Sequence, residues 1–485
     1  MISNYDNDLV SRVFQSLSID KKRLDSSGIK NFGIPSFVSE WLLDKLVPGM
    51  GKLNDLELKK VNDFIQKAFP RKDDSEEIKF DITNKGETYK VIALMQVRVK
   101  LEANSKQIPE PLASIPILNL SNCEISTDIV DKYRRLLRQG VWGKITLSYK
   151  NNNGNFNVSV IDFDPFQSSE VNLQDYAECR SHFTTEQWRD LMLCSMGYNP
   201  EHPNYNHLAK TRMLTRLIPL VESNYHIMEL APKGTGKSFV YENINNKVSV
   251  VSGGKITPAK LFIDGQTKSV GLLGRYDVVV LDEIQSLTFD NPDEIIGPLK
   301  TYLANGRYNR SGFSENPISS DCSLVLLGNI ELDENQLPKN RHNLMNDLPK
   351  FFWETAFLDR FAGILPGWEI PKFQRDMIAD QVGLKMDFFG EALLSLRRDN
   401  RFYQYAQEHT YFEHESVTGR DETAILKTAS GLLKILYPHL QLTLQDYQRD
   451  CLEPAKEIRQ YIRNVQYYLD DEFKRYGKNI YVDVK

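Results

Sequence analysis

YHIMELAPKGTGKSFVYENIN (225–245) decides how this chain is read. An apolar run, a glycine-bearing turn and a second apolar run follow one another, the pattern of strand, tight loop and helix. Within it, APKGTGKS (231–238) fits the phosphate-binding loop at every fixed position but the first, where Ala231 stands in place of glycine. Successive backbone N–H groups of such a loop wrap phosphate oxygens, and the helix start adds partial positive charge. Gly234 and Gly236 let the backbone approach because they carry no Cβ. Pro232, Lys233, Gly234, Thr235, Gly236, Lys237 and Ser238 are therefore the candidate ATP-binding residues. Lys237 suits the β- and γ-phosphates and Ser238 suits Mg²⁺. An accidental glycine-rich turn is the alternative, and the flanking strand and helix argue against it.

Downstream, RYDVVVLDEIQSL (275–287) places four apolar residues, Val278 to Leu281, before Asp282 and Glu283. Two carboxylates at the end of a buried strand are costly unless a cation or a reaction uses them. Asp282 fits a Mg²⁺ partner, and Glu283 a general base that polarises the attacking water. A third run, SLVLLGN (323–329), ends in Asn329, whose amide suits the γ-phosphate or the water, or is an ordinary turn residue. In AFLDRFAGILPGW (356–368), Arg360 follows an apolar run. On residue type alone it pairs with an acidic neighbour or reaches a γ-phosphate held by an adjacent subunit.

Around this centre, strands alternate with helices from 225 onward, the signature of a parallel α/β sheet. Residues 1–170 read as an N-terminal α+β domain, with helices at 36–47 and 55–69, a break at RKDDSEE (71–77), and strands at 89–102, 142–150 and 157–166. Between the strands, TDIVDKYRRLLRQG (127–140) reads as one basic helix ended by Gly140 in the left-handed cap conformation. Residues 171–370 read as a helical lead-in and the ATPase core, and 371–485 as a helical lid. With 485 residues, 41% hydrophobic and 26% charged, the chain has the balance of a soluble multidomain protein. No stretch approaches the roughly 18 to 20 apolar residues of a membrane helix, and the start MISNYDNDLVSR has no signal-peptide core. Five scattered cysteines fit free thiols in the cytoplasm, and eight histidines form no metal-ligand spacing. The net charge of −5 neither demands nor excludes nucleic acid.

Strand, phosphate loop, LDE, strand-end Asn, LDR and helical lid, in that order, resemble AAA+ ATPases of the Lon and MCM-helicase neighbourhood. The phrases LRQGVWGKITLSY, LIPLVESNY, GGKITPAKLF, GLLGRYDVVVLDE, LPGWEIPK and TASGLLKILYP extend the resemblance to the BrxL family of BREX phage-defence proteins, over nearly the whole chain. The resemblance implies an α/β fold with an AAA+ P-loop core, and ATP and Mg²⁺ as cofactors. It implies that Asn329 is sensor 1, that Arg360 is a finger acting in trans, and that Arg420, opening the helix of GRDETAILKTASG, is sensor 2. It also implies a homo-hexameric ring, single or stacked in pairs, that encircles double-stranded DNA, with other BREX components as partners. Longer family members carry a Lon-protease-like domain after the lid; here the chain stops at YGKNIYVDVK, so peptidase activity is not expected.

DNA has three candidate surfaces. NGRYNRSG (305–312) reads as a hairpin before sensor 1, which MCM-like ATPases aim into the pore, with Arg307 and Arg310 for phosphates and Tyr308 for stacking. SGGKITPAKLFIDGQTKSVG (252–271) offers Lys255, Lys260 and Lys268, and the basic helix offers Arg134, Arg135 and Arg138. Each is otherwise a solvated surface. The alternative to a DNA-binding ring is a Lon-related protein unfoldase working with a separate peptidase. A third reading, a switch that binds ATP without turning it over, has no need of Glu283.

Overall fold

Alternating apolar residues between 89 and 165 close a sheet on itself. The computed structural model describes residues 5–84, 88–99, 111–152, 155–166, 171–264, 269–289, 292–309 and 317–485. The chain divides into two compact units, Lys22–Ser169 and a second made of Met1–Lys21 with Glu170–Lys485. In the first, β1 (Tyr89–Val99), β2 (Pro111–Ile115), β3 (Leu120–Ile125), β4 (Val141–Asn152) and β5 (Asn155–Pro165) form a closed barrel in the order β1-β2-β3-β5-β4. β3 and β5 run parallel and the other neighbours antiparallel. Val91, Ala93, Met95 and Val97 of β1 point inward at every second position, onto Ile115, Ile145 and Phe163. Closure leaves no unpaired edge.

Three expectations change here. The RKDDSEE stretch is no simple break, because Ser75–Asn84 is a helix with Ile78 and Ile82 buried on the barrel core. The basic segment is two pieces, a helix Thr127–Lys132 and a 3₁₀ turn Arg134–Leu137, parted at Tyr133 (φ −126°, ψ 59°). Gly140 does not take a left-handed conformation; a Cβ there would lie 2.8 Å from the Leu94 side chain, so the glycine serves close packing.

The second unit is built on a parallel sheet. Its strands are β6 (Ile227–Ala231), β7 (Val248–Ser252), β8 (Val278–Asp282), β9 (Ser323–Asn329) and β10 (Gly363–Pro366), in the order β10-β6-β9-β8-β7. Every pairing is parallel. β6 and β8 are buried at each position, as strands covered on both faces must be, which explains why they read as apolar runs, broken in β6 by Glu229 and ended in β8 by Asp282, rather than as alternations. Parallel strands bring all their C-terminal ends to one rim of the sheet and all their N-terminal ends to the other. Ser18–Asp20 pairs with Val382–Leu384, so residues 5–21 pack with this unit. Among the described residues no helix is long and apolar enough to cross a membrane.

Beyond the sheet, α1 (Phe239–Asn243) follows β6, and the C-terminal region holds α2 (Gly419–Leu436) and α3 (Glu453–Leu469). α2 and α3 are tied by buried charge. Arg459 of α3 donates to Asp421 of α2 at 2.6 Å and to Asp359, just before β10, at 2.8 Å. Arg463 adds a second bond to Asp421, and Gln466 and Arg420 complete Asp359. Burial alone raises both carboxyl pKa values, but the arginines around them outweigh it and hold both below the ordinary range. Arg459→Met leaves two buried carboxylates short of a partner and is expected to destabilise the unit by about 3–5 kcal/mol, read from urea unfolding. Depressed carboxyls stabilise fully above the unfolded value of about 4 and lose that contribution as pH falls through the folded values, so acid should narrow the gap between variant and wild type.

Candidate nucleotide site

β6 ends at Ala231 and the chain turns at once through Pro232 to Ser238. Gly234 and Gly236 sit at φ +87° and +66°, where a side chain would strain the turn. Bonds from the body of the unit fasten the loop, among them those donated by the Tyr198 hydroxyl to the Gly236 carbonyl at 3.3 Å and by the Phe373 N–H to the Gly234 carbonyl at 2.8 Å. α1 is a single short turn, less than the sequence pattern suggests.

Lys237 is 8% exposed and its Nζ donates to Asn329 Oδ1 at 2.5 Å. Burial lowers its pKa, while the charges of Glu229 and Asp282 pull the other way. Asn329 closes β9, opposite Ala231 in the register, and its N–H donates to Gln285 Oε1 at 3.1 Å. Asp282, 7% exposed, closes β8 and accepts the Glu283 N–H at 2.8 Å. Glu283 is exposed and holds φ +54°, a conformation that non-glycine residues seldom take. Its carboxylate reaches over Gly253, where an added Cβ would lie 3.2 Å from Oε2. The loop, Lys237, Ser238, Asp282, Glu283 and Asn329 thus gather at the C-terminal rim of one sheet. That rim offers what a nucleotide with its magnesium requires: a turn of loop amides, a shielded ammonium, a buried carboxylate and a nearby hydroxyl.

Arg360 and Arg420 lie elsewhere. Gly363 of β10 is opposite Ile227, the first residue of β6, and the Ala362 N–H donates to the His226 carbonyl at 2.7 Å. Arg360 is therefore at the N-terminal rim, separated from the loop by the length of β6, about 13 Å at 3.3 Å per residue. Arg420 joins it there through Asp359, at 2.5 Å, and both arginines line one cavity of about 430 Å³ with Asn224, His226 and Lys427. The Arg360 guanidinium donates to the Ala356 carbonyl, and its Nε is buried with no partner among the described residues. Neither arginine lies at the rim that carries the glycine loop 232–238.

Of the candidate DNA residues, Arg307 is exposed on a short strand, Arg307–Tyr308, paired antiparallel with Ile318–Ser319. Tyr308 corrects the expectation of base stacking: its ring is buried against Phe262 and Tyr302, with centroids 5.5 and 5.8 Å away, and has no face left for a base. Arg310 and Lys268 lie outside the described residues. Lys255 and Lys260 are exposed; Arg134 is exposed and paired with Asp131 at 3.0 Å, and Arg135 is half-buried.

Sequence reasoning passed over Arg216 and Glu229. Glu229 stands inside the apolar β6 at 1% exposure, and Arg216, fully buried, meets both its oxygens. A carboxylate within a buried strand demands a partner, and that signal was present in YHIMELA.

Residues 158–479 match the family described as Lon-like protease BrxL-like, ATPase domain, and residues 12–149 match the BREX system Lon protease-like protein BrxL N-terminal family. The chain is 31% identical to the Lon-like protease BrxL of Escherichia coli O9:H4 (strain HS), covering 99% of this chain and 66% of that protein. It is 32% identical to the Lon-like protease BrxL of Bacillus cereus (strain H3081.97), over 89% of this chain and 63% of that one. It thus spans just under two thirds of the length of these curated relatives. An uncharacterised protein, ORF426, of Acidianus filamentous virus 1 is 29% identical over 38% of this chain and 48% of its own. With a five-stranded parallel sheet in its second unit and matches to both parts of one family, the chain belongs to the Lon-like BrxL family of the BREX system.

Proposed function

We propose that the chain is an AAA+ ATPase that works on duplex DNA in BREX-type phage defence. The carrying observation is the convergence of Lys237, Asp282, Glu283 and Asn329 on one rim beside a glycine loop. In this reading the loop amides and Lys237 hold the triphosphate, and Ser238 and Asp282 hold Mg²⁺, which neutralises phosphate charge when bound. Glu283 takes a proton from the attacking water as the β–γ phosphoanhydride bond breaks, giving ADP and phosphate. Asn329 orients the water or the γ-phosphate. Arg360 and Arg420, remote from their own loop, serve the nucleotide of a neighbouring protomer in a ring, probed by particle size with ATP analogue. Phosphate release from the purified chain, with and without duplex DNA, tests the whole reading; a chain that ignores ATP ends it.

DNA binding draws support from Arg307 on its hairpin and from the barrel, whose strand order resembles the OB fold that binds oligonucleotides. The second support is an analogy of fold alone. Arg307→Ala and Arg310→Ala should each weaken duplex binding at every sequence and lower the salt slope by about 1. Unchanged affinity across a salt series would remove the hairpin from the interface. The unfoldase alternative relies on an aromatic grip on polypeptide, and the burial of Tyr308 takes that aromatic away.

A further inference from the structure

Beneath the phosphate loop lies an ion pair with no catalytic group of its own. Arg216 Nε donates to Glu229 Oε2 at 3.0 Å and Nη2 to Oε1 at 2.6 Å, a two-point pair sealed from water. The same Nη2 also reaches the Thr235 carbonyl, in the middle of the loop, at 3.3 Å. The backbone behind Arg216 is itself held, since the Tyr241 hydroxyl donates to the Arg216 carbonyl at 2.9 Å. Tyr198 takes the next loop carbonyl, that of Gly236. A loop that binds anions with its N–H groups must turn its carbonyls away from the ligand, and an outward carbonyl needs a donor behind it.

We propose that Arg216 and Glu229 are positioning residues for nucleotide binding: Glu229 fixes the guanidinium, and the guanidinium holds the Thr235 carbonyl back so that the loop amides face the phosphates. This rests on the ATP reading of the loop and adds to it a part that lies outside the motif. Glu229 does a second thing. Its charge reaches Lys237 and opposes the loss of the ammonium proton that burial favours. A buried pair of this kind is weak evidence of stabilisation, because an apolar pair of similar volume often replaces it without loss. Positioning gives a better reason for its presence.

The test uses the purified full chain, with mant-ADP titration, steady-state ATP turnover and thermal unfolding without nucleotide. Wild type comes first: if it takes up no mant-ADP, the nucleotide reading falls and this inference with it. If wild type binds, the Arg216→Met/Glu229→Met double variant is expected to melt near wild type and to bind mant-ADP about tenfold more weakly or worse. Equal affinity at equal stability would overturn the positioning role and leave the nucleotide reading intact. Should the double variant fail to fold, Arg216→Lys decides. Lysine keeps the charge for Glu229 but lacks the fork that also reaches Thr235. A raised KM with kcat and melting unchanged supports the proposal, and a wild-type KM overturns it.

Discussion

Glu283→Gln is expected to lower ATP turnover by roughly 10²–10⁴-fold, the range a lost general base commands, while nucleotide affinity stays close to wild type. The substitution is nearly isosteric and removes only the proton acceptor. Glu283 has the features of a group kept for chemistry rather than for packing. It is exposed, so burial does not hold it, and its backbone sits at φ +54°, a conformation costing on the order of 1–3 kcal/mol outside glycine. The fold imposes that conformation through the Asp282 carboxylate, which accepts the Glu283 N–H, and through the Ser286 N–H on the Glu283 carbonyl. Radiolabelled ATP retained on the variant, with phosphate release lost, is the measurement. Survival of turnover would reassign the base.

Arg360→Ala should lower kcat by about 10³-fold or more with little change in nucleotide affinity, the behaviour of an arginine finger. Geometry makes the prediction sharper than the residue type does. Arg360 lies at the rim opposite the phosphate loop, so it has no route to the nucleotide of its own chain. Mixing Arg360→Ala with Lys237→Ala protomers, each inactive alone, should therefore restore part of the turnover. At some seams an intact loop from one variant meets an intact Arg360 from the other. No recovery on mixing, with each variant still assembling, would mean that Arg360 acts only as the structural neighbour of Asp359 and Arg420.

The positive-φ glycine loop, the buried strand ending in Asp282 and the strand ending in Asn329 were legible in the sequence because each depends on local chemistry. Glycines are required where φ is positive, and apolar runs are continuous where both faces of a strand are covered. Long-range partnership was not legible. Nothing in NGRYNRSG says that Tyr308 turns inward onto Phe262, 46 positions earlier. The barrel strands β2 and β3 are short, with Pro111 opening one, and their pairing appears only once the sheet closes. The basic segment keeps helical periodicity across Tyr133 although the backbone breaks there, since Leu136 has to reach the barrel interior. Arg420 could be matched by its place in a motif, but its neighbourhood with Arg360 depends on Asp359, 61 positions away.

In the proposed reading the two rims of the parallel sheet carry different halves of one catalytic apparatus, and this bears on how copies can associate. A two-fold dimer could pair two loops with two Arg360 side chains reciprocally, but its contacts close on themselves and end with two copies. Head-to-tail stacking also brings unlike rims together, and such stacking either closes into a cycle or runs on as a filament. In a head-to-tail ring, since Arg459 welds the Arg360 segment to α2 and α3, whatever a bound nucleotide does to one seam would be handed along in a single rotational sense.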